Sequence, residues 1–278
     1  MKNRIISSLI GIPIIFSLII WNIIGLLALC SIISFISAYE IYKMLILKKQ
    51  TKLKKSIILV NIILTTLVPL IFSILFINFW DVSYSLLISV YVLITSLCIL
   101  IFVTALPYNN EIFLKIGFWK FWIYSAFIGF GIAHFPLLYH LESYGLELTL
   151  ILISLTFTFD VFALFIGRKF GKTKIFPKIS PNKSLQGYLG GLFSLFPMLY
   201  FLQTVFNISI MLHISIMVII LISFSSLLGD LYESYMKRKA EIKDSGSIIP
   251  GHGGILDRTD SILMNVIVFY WLVIWLKI

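Results

Sequence analysis

Carboxylates that interrupt apolar segments are the residues of this chain best suited to chemistry. Asp160 lies within TFTFDVFALFIGRKFGK, and Asp230 and Glu233 lie within LLGDLYESYMKRK. A charge inside a membrane-spanning segment costs about 3 kcal/mol or more, so such a residue usually has a partner or a function. Helical spacing also places Ser234 and Lys237 on the face that carries Asp230 and Glu233. This face is a candidate site.

Further acids follow in the polar segment 236–260, which carries Asp244, Asp257 and Asp260. Mg²⁺ is typically held by one or two carboxylates together with substrate phosphates, and paired ions can clamp the attacking and leaving oxygens of a displacement. We expect four carboxylates to converge and to hold Mg²⁺, as two divalent ions or a mixed pair of cations: Asp160, Asp230, Asp257 and Asp260. The alternative is a set of internal salt bridges between helix ends, and for Asp260 a favourable position at a helix N-terminus.

Glycine and basic residues surround these acids. The sequence GHGGILDRTD places Gly253 and Gly254 beside His252. Successive glycines allow the backbone N–H groups to form an anion-binding nest, and His252 could donate a hydrogen bond to a phosphate. We therefore predict that this loop contacts phosphates, and that nearby cations steady them: Lys183, Arg238, Lys243 and Arg258.

A second polar segment, GRKFGKTKIFPKISPNKSLQGYLGG at 167–191, separates two apolar stretches. Ser180 and Ser184 can cap the helix that follows. Lys178 and Lys183 would lie near the N-terminus of that helix, where phosphates bind readily. The sequence contains neither GxxxxGK[ST] nor GxGxxG, so the common nucleotide-binding folds are unsupported. This segment is a candidate half of a nucleotide site.

Composition indicates an integral membrane protein. The chain is 60% hydrophobic and 12% charged, with a mean hydropathy of +1.04, whereas soluble domains are about half apolar and a quarter charged. The apolar runs do not alternate as barrel strands do. We predict an all-α polytopic protein with about nine spans: 5–21, 23–42, 56–77, 83–105, 118–138, 147–166, 188–206, 211–235 and 260–276.

Charge predicts the orientation of these spans. With the N-terminus in the cytoplasm and nine helices, every Lys and Arg of the 22 except Lys277 falls on the cytoplasmic side, as the positive-inside rule requires. The net charge of +10 therefore reflects topology and anionic lipid, and it does not indicate nucleic-acid binding. We also expect two parts, with scaffold helices in 1–145 and a catalytic region with two cytoplasmic polar loops in 146–278.

The segment from Ser234 to Asp260 resembles the signature of phosphatidate cytidylyltransferases, the CDP-diacylglycerol synthases. The Gly229–Asp230 pair, Asp160 ahead of GRKFGK, and SPNKSLQG, which is similar to the SPKKTxEG of the family, support this resemblance. Residues 1–145 match only as generic spans. The signature positions are Ser234, Lys237, Arg238, Lys243, Asp244, Gly246, Pro250, His252, Gly253, Gly254, Asp257, Arg258 and Asp260.

The resemblance implies a multi-pass, Mg²⁺-dependent homodimer that joins CTP and phosphatidate to give CDP-diacylglycerol and pyrophosphate. It implies a prokaryotic inner membrane with the site facing the cytoplasm. It assigns metal binding to Asp230 and Asp257, with Asp160 and Asp260 as supporting acids. The remaining candidate catalytic residues are Lys237, Arg238, Lys243, Asp244, His252 and Arg258. The candidate substrate-binding residues are Lys178, Ser180, Lys183, Ser184, Ser234, Gly253 and Gly254.

Some residues depart from the family pattern. Asn182 replaces a Lys, Gln186 replaces a Glu, and Val161 follows Asp160 where a small hydroxyl residue is usual. Two alternatives also remain. One is another CTP-using membrane enzyme, such as a polyprenol kinase or an archaeal-lipid cytidylyltransferase. The other is an ion-coupled transporter that uses Asp160, Asp230 and Glu233 as a relay, although such proteins often contain internal repeats.

Overall fold

The computed structural model describes residues 2–46, 71, 118–141, 144–177, 179–248 and 253–276. The chain is mostly helical, with one small antiparallel sheet among these residues. In chain order the elements are α1 (Lys2–Trp21), α2 (Ile23–Ile46), α3 (Phe118–Tyr139), α4 (Gly145–Phe170), β1 (Lys174–Phe176), β2 (Ser180–Ser184), α5 (Leu185–Phe206), α6 (Leu212–Lys239) and α7 (Leu256–Leu276).

The helices coincide with seven of the nine segments predicted from the sequence. The other two, 56–77 and 83–105, lie outside the described residues except for residue 71. Five of the described helices, α2 and α4 to α7, are long and apolar enough to cross a membrane. The protein is therefore a helical membrane protein, while the total of about nine spans and the orientation of the N-terminus stay predictions.

The described residues pack into two compact units. The first comprises the described parts of Met1–His140 and Asp244–Leu256, where α2 packs against α1 and α3. Asn22 separates α1 from α2, and its Oδ1 accepts a hydrogen bond from the Gly25 N–H over 3.0 Å, which caps α2. The core of this unit is mostly apolar and includes Ile19, Leu26, Ala38, Ile41, Ile128, Ile132 and Leu138. Its buried polar residues are Ser34, Ser37, Glu40, His134 and Ser245.

The second unit comprises the described parts of Leu141–Lys243 and Asp257–Ile278. Here α4 and α5 pack closely because glycines line their contact: a Cβ at Gly187 would lie 2.7 Å from the Ala163 carbonyl oxygen. Helix α6 packs against both. Helix α7 approaches α6 at Gly229, where a Cβ would lie 2.5 Å from the Asp260 carbonyl oxygen. This packing brings the polar residues of α4, α6 and α7 together.

Large apolar side chains cover the outer faces of this second unit. Phe165 on α4 is 62% exposed, and Phe193 and Tyr200 on α5 are 64% and 70% exposed. An exposed apolar surface on regular helices is what a bilayer requires, since backbone polar groups are paired within each helix and lipid covers the side chains. The exposure therefore agrees with the membrane assignment.

The segment between α4 and α5 forms a hairpin that the sequence did not predict. Strands β1 and β2 pair antiparallel, with Lys174 opposite Ser184 and Phe176 opposite Ser180, and with an irregularity between the two pairs. Ser184 is the N-cap of α5, because its Oγ accepts a hydrogen bond from the Gly187 N–H over 3.2 Å. The predicted cap at Ser184 is confirmed, whereas Ser180 lies at the start of β2 and does not cap the helix.

Candidate active site

The polar face of α6 has the geometry that its spacing predicts. Ser234 Oγ donates a hydrogen bond to Asp230 Oδ1 over 3.2 Å. One turn further along, Lys237 Nζ lies 2.8 Å from Glu233 Oε2. Glu233 and Ser234 are buried, whereas Asp230 is half-buried. The carboxylates of Asp230 and Glu233 therefore lie on one face of α6. Each is bonded to a residue one turn further along, Asp230 to Ser234 and Glu233 to Lys237.

Lys237 also reaches the first turn of α7. Its Nζ lies 2.6 Å from Asp257 Oδ1, and the side chains of both residues are largely buried, with 12% and 7% exposed. The expected alternative of salt bridges between helix ends is therefore realised at Lys237, which joins Glu233 to Asp257. Because an ammonium group carries a single positive charge, this pairing leaves the cluster with an excess of negative charge.

A second lysine enters the cluster from the hairpin. Lys183 Nζ lies 2.7 Å from Asp230 Oδ2 and 3.4 Å from the Leu227 carbonyl oxygen. On the exposed side, Arg238 Nε donates to the Ile179 carbonyl oxygen over 3.4 Å. Lys183 therefore connects β2 to α6, and Arg238 connects the end of α6 to the turn before β2. Both residues were predicted to bind phosphate.

The remaining acids come from α4 and α7. Asp160 interacts electrostatically with Asp260 and Asp230, and with the cations Lys183 and Arg258. Asp260 interacts in turn with Asp230 and Glu233. Two of the predicted metal-binding acids, Asp160 and Asp260, therefore lie close enough to Asp230 for their charges to interact. The fourth, Asp257, joins this group through Lys237.

A divalent cation at this cluster would need ligands from the substrate as well as from the protein. Among the described residues, no three His, Cys, Asp or Glu side chains are arranged to hold a metal ion by themselves, but Mg²⁺ needs only one or two carboxylates when phosphates supply the other ligands. Glu233 Oε1 is buried and has no hydrogen-bond partner in the described part of the chain. It also lies in the field of Asp260. Carboxyl groups so placed need a shared proton or a cation.

A buried polar network lies beneath the acids. Asn265 on α7 donates hydrogen bonds to Thr156 Oγ1 on α4 over 2.8 Å and to Ser226 Oγ on α6 over 2.7 Å. Its Oδ1 accepts a hydrogen bond from Ser225 Oγ. Asn265 is fully buried. One side chain thus joins the three helices that carry Asp160, Asp230 and Asp260.

Comparison with known families shows which family the chain belongs to. The sequence profile of the cytidylyltransferase family matches residues 2–276 of the chain. The chain belongs to the cytidylyltransferase family. The match includes the helices of both units, so membership does not rest on the polar loops alone.

Several bacterial relatives are named phosphatidate cytidylyltransferase. The chain is 36% identical to the Bacillus subtilis protein over 169 residues, which are 61% of this chain and 62% of that protein. It is 42% identical to the Staphylococcus aureus (strain COL) protein over 142 residues, 50% of this chain and 52% of that one. It is 40% identical to the Staphylococcus saprophyticus protein over 167 residues, with coverages of 59% and 62%. Each alignment thus covers between half and two thirds of the relative.

The other candidate residues of this cytidylyltransferase-family chain are spread over both units. Lys243 and Arg258 are exposed residues of the second unit. Asp244, Gly253 and Gly254 belong to the first unit, and Gly253 has a left-handed φ of 89°. The expected roles of Lys178 and His252 concern positions outside the described residues.

Gln186 has a structural role that the family comparison had left open. Its Oε1 accepts a hydrogen bond from the Thr173 N–H over 3.1 Å, and its Nε2 donates to Thr173 Oγ1 over 3.3 Å. An amide can accept and donate at once, whereas a carboxylate can only accept. Gln186 therefore holds the start of α5 against the start of the hairpin.

Sequence reasoning missed Asn265 and Glu40. Both are polar residues within apolar stretches, and both are buried. Polar and ionisable groups inside membrane segments are expensive and usually functional. An ionisable residue within an apolar stretch is the feature that marked Asp160 as a candidate, and Glu40 has the same feature.

Proposed function

We propose that this protein transfers the cytidylyl group of CTP to phosphatidate, giving CDP-diacylglycerol and pyrophosphate in phospholipid biosynthesis. The observation that carries the proposal is the gathering of Asp160, Asp230 and Asp260 with Lys183 in one unit. Family membership along 2–276 and the names of the bacterial relatives support it. An anionic nucleotide and an anionic lipid need a site with cations and divalent-ion ligands, and this cluster provides both.

The nucleophile needs no dedicated base. A phosphate monoester is mostly dianionic at pH 7, so an oxygen of phosphatidate can attack the α-phosphorus of CTP directly. A new P–O bond forms, the bond to the β-phosphate breaks, and its electron pair leaves with pyrophosphate. Phosphoryl-transfer catalysis depends mainly on positioning and charge neutralisation. The side chains of the cluster are suited to these two tasks.

Asp230 and Asp257 would hold Mg²⁺, with Asp160 and Asp260 in support. Bound Mg²⁺ would neutralise phosphate charge and orient the triphosphate. Lys183 would contact a phosphate oxygen near Asp230, and Arg238 would contact one near β2. Lys237 holds Asp257 at the start of α7, because their charged atoms lie 2.6 Å apart.

We propose that the enzyme lies in the inner membrane of a prokaryote, with about nine spans, a cytoplasmic N-terminus and an active site that faces the cytoplasm. The distribution of Lys and Arg supports this orientation, and CTP is a cytoplasmic substrate. We also propose a homodimer, as the family resemblance implies. Cysteine labelling of single-cysteine variants in intact cells, with new cysteines at Lys243 or Tyr144, would test the orientation.

Turnover of the purified full-length protein in lipid–detergent micelles tests the reaction. With CTP, phosphatidate and Mg²⁺ we expect release of one pyrophosphate for each CDP-diacylglycerol, and loss of both when Mg²⁺ is chelated. UTP and ATP serve as nucleotide controls. Release of CDP in place of pyrophosphate would identify a kinase, and nucleotide hydrolysis without lipid would contradict the proposal.

The carboxylates are tested in the same assay. Asp257→Asn should abolish turnover while the protein still inserts and elutes as the wild type does. Glu147→Gln, a change to a partly exposed acid in the first turn of α4, is the matched control and should keep wild-type activity. Near-normal turnover of Asp257→Asn would refute its metal-binding role.

A further inference from the structure

Glu40 places a carboxylate in the interior of the first unit. It lies near the end of the apolar stretch Ile23–Ile41 of α2, and it is only 1% exposed. The family resemblance gives it no role, because it treats residues 1–145 as generic spans. A buried carboxylate is strongly unfavourable unless polar groups surround it. Its hydrogen-bond partners therefore indicate what it does.

The partners come from two polypeptide stretches far away in sequence. Glu40 Oε2 accepts hydrogen bonds from Ser245 Oγ over 3.1 Å and from the Leu256 N–H over 2.9 Å. Its Oε1 accepts one from the Ile255 N–H over 2.9 Å. Leu256 begins α7, so Glu40 also satisfies a backbone donor that a helix start leaves unpaired and complements the positive end of the helix dipole.

Two glycines of the family signature make room for this carboxylate. A Cβ on Gly246 would lie 2.5 Å from Glu40 Oε1, and a Cβ on Gly254 would lie 2.6 Å from each carboxylate oxygen. Both distances are shorter than any normal contact. A side chain at Gly246 would therefore meet Glu40, and one at Gly254 would meet both Glu40 and the Ser245 hydroxyl, whose oxygen is the nearest atom. The expected part of Gly254 in a phosphate-binding nest stays a prediction.

We propose that Glu40 is a positioning residue of the active site. Its carboxylate fixes two flanks of the signature, residues 244–248 and 253–256, which carry Asp244 and Gly253. It acts through these flanks and does not contact the substrates. The inference rests on the proposed function, because the flanks affect turnover only if they belong to the site of cytidylyl transfer.

Hydrogen exchange tests the positioning without any substrate. In Glu40→Gln the new NH₂ group replaces one acceptor oxygen, so it must face either the Ile255 N–H or the Leu256 N–H. At least one of these two amides should then exchange about tenfold faster or more, as expected for losing a hydrogen bond to a charged group. Glu147→Gln is the matched control and should leave these amides unchanged. Unchanged exchange in Glu40→Gln would overturn the inference.

A double-mutant cycle tests the glycine explanation. Gly246→Ala should speed exchange at Ile255 and lower the unfolding temperature by about 2–4 °C, because the three atoms nearest to the new methyl all belong to Glu40. In a Glu40→Ala background the same change should have little further effect. Gly11→Ala is the control, since no atom of the described residues lies within 4 Å of its Cβ position. Additive effects of the two changes would overturn the inference, and Gly246→Ala alone remains informative if Glu40→Ala does not fold.

Kinetics separate this inference from the proposed function. If both hold, Glu40→Gln should lower kcat for cytidylyl transfer at least about tenfold, while the KM for CTP changes much less. Altered exchange with normal kcat would overturn the positioning role. If the wild type shows no cytidylyl transfer, the proposed function fails, whereas altered exchange in Glu40→Gln would still show that Glu40 holds the flanks.

Discussion

The side-chain amide of Asn265 on α7 donates a hydrogen bond to the Thr156 hydroxyl on α4 across 2.8 Å. Asp160 follows Thr156 by about one helical turn, and Asp260 precedes Asn265 by slightly more than one. The polar network thus lies one turn away from the acids of the same helices. A shift in helix register at Asn265 would move those acids apart.

Replacing Asn265 should therefore change the positions of Asp160, Asp230 and Asp260, although Asn265 lies about one helical turn away from them. Interhelical hydrogen bonds in membranes contribute about 0.6–1.7 kcal/mol each, so Asn265→Leu should lower the free energy of unfolding by about 2–4 kcal/mol and should also reduce kcat. Thr156→Val removes one of these bonds and should have a smaller effect. Thr204→Val is the control, because Thr204 is exposed and donates only to Phe201 of its own helix. Retention of full activity by Asn265→Leu would show that the network does not position the acids.

The close approach of α6 and α7 at Gly229 allows no side chain. A Cβ there would lie 2.5 Å from the Asp260 carbonyl oxygen, and backbone atoms cannot rotate away. Gly229→Ala should separate Asp230 from Asp260 and abolish turnover, although alanine favours helix formation. Measuring turnover beside Gly11→Ala checks this prediction. If Gly229→Ala keeps most of its activity, this close approach is not required for the reaction.

Lys183 and Asp230 form the ion pair that connects the hairpin to α6. Lys183→Met should leave Asp230 without its nearest cation, and under the proposed function it should raise the KM for CTP by at least about tenfold, since charge-assisted contacts to phosphate are strong. Lys174→Met, on the exposed end of β1, is the matched control. Lys183→Arg keeps the charge, and it should recover part of the affinity. An unchanged KM in Lys183→Met would mean that Lys183 serves only to hold the hairpin.

Lys237 is shared between two acids, which predicts a compensating double variant. Lys237→Met removes the ammonium group that lies between the carboxylates of Glu233 and Asp257 in a largely buried place, so it should lower the free energy of unfolding by about 3–5 kcal/mol. Adding Glu233→Gln removes one of these two negative charges and should restore part of that stability. Thermal unfolding and turnover, measured side by side, check this. A double variant no more stable than Lys237→Met would show that Glu233 does not depend on Lys237.

Local spacing predicted the helix faces but could not predict the pairing between elements. The bonds from Ser234 to Asp230 and from Lys237 to Glu233 follow from the helical repeat, and the N-cap at Ser184 follows from residue type. The bond from Lys237 to Asp257 depends on how α6 and α7 pack. Packing of this kind is not encoded in any short window of sequence.

The hairpin escaped prediction for a different reason. Its strands are only three and five residues long, Pro177 follows β1 and Pro181 lies within β2, so they lack the alternation that predicts strands. Their pairing is stabilised by contacts with α5, including the bond of Gln186 to Thr173. Glu40 escaped because its partners lie more than 200 positions away in the sequence. Only its presence in an apolar run could have marked it.

The hairpin is closed at its base by Ser184 and by the Leu185 N–H, which donates to the Thr173 carbonyl oxygen over 2.9 Å. Lys183 therefore lies on a segment that hydrogen bonds hold in one conformation. A lysine on a flexible segment would lose conformational entropy each time it bound a ligand. Here most of that entropy is lost on folding, so under the proposed function the binding of a triphosphate would cost less conformational entropy.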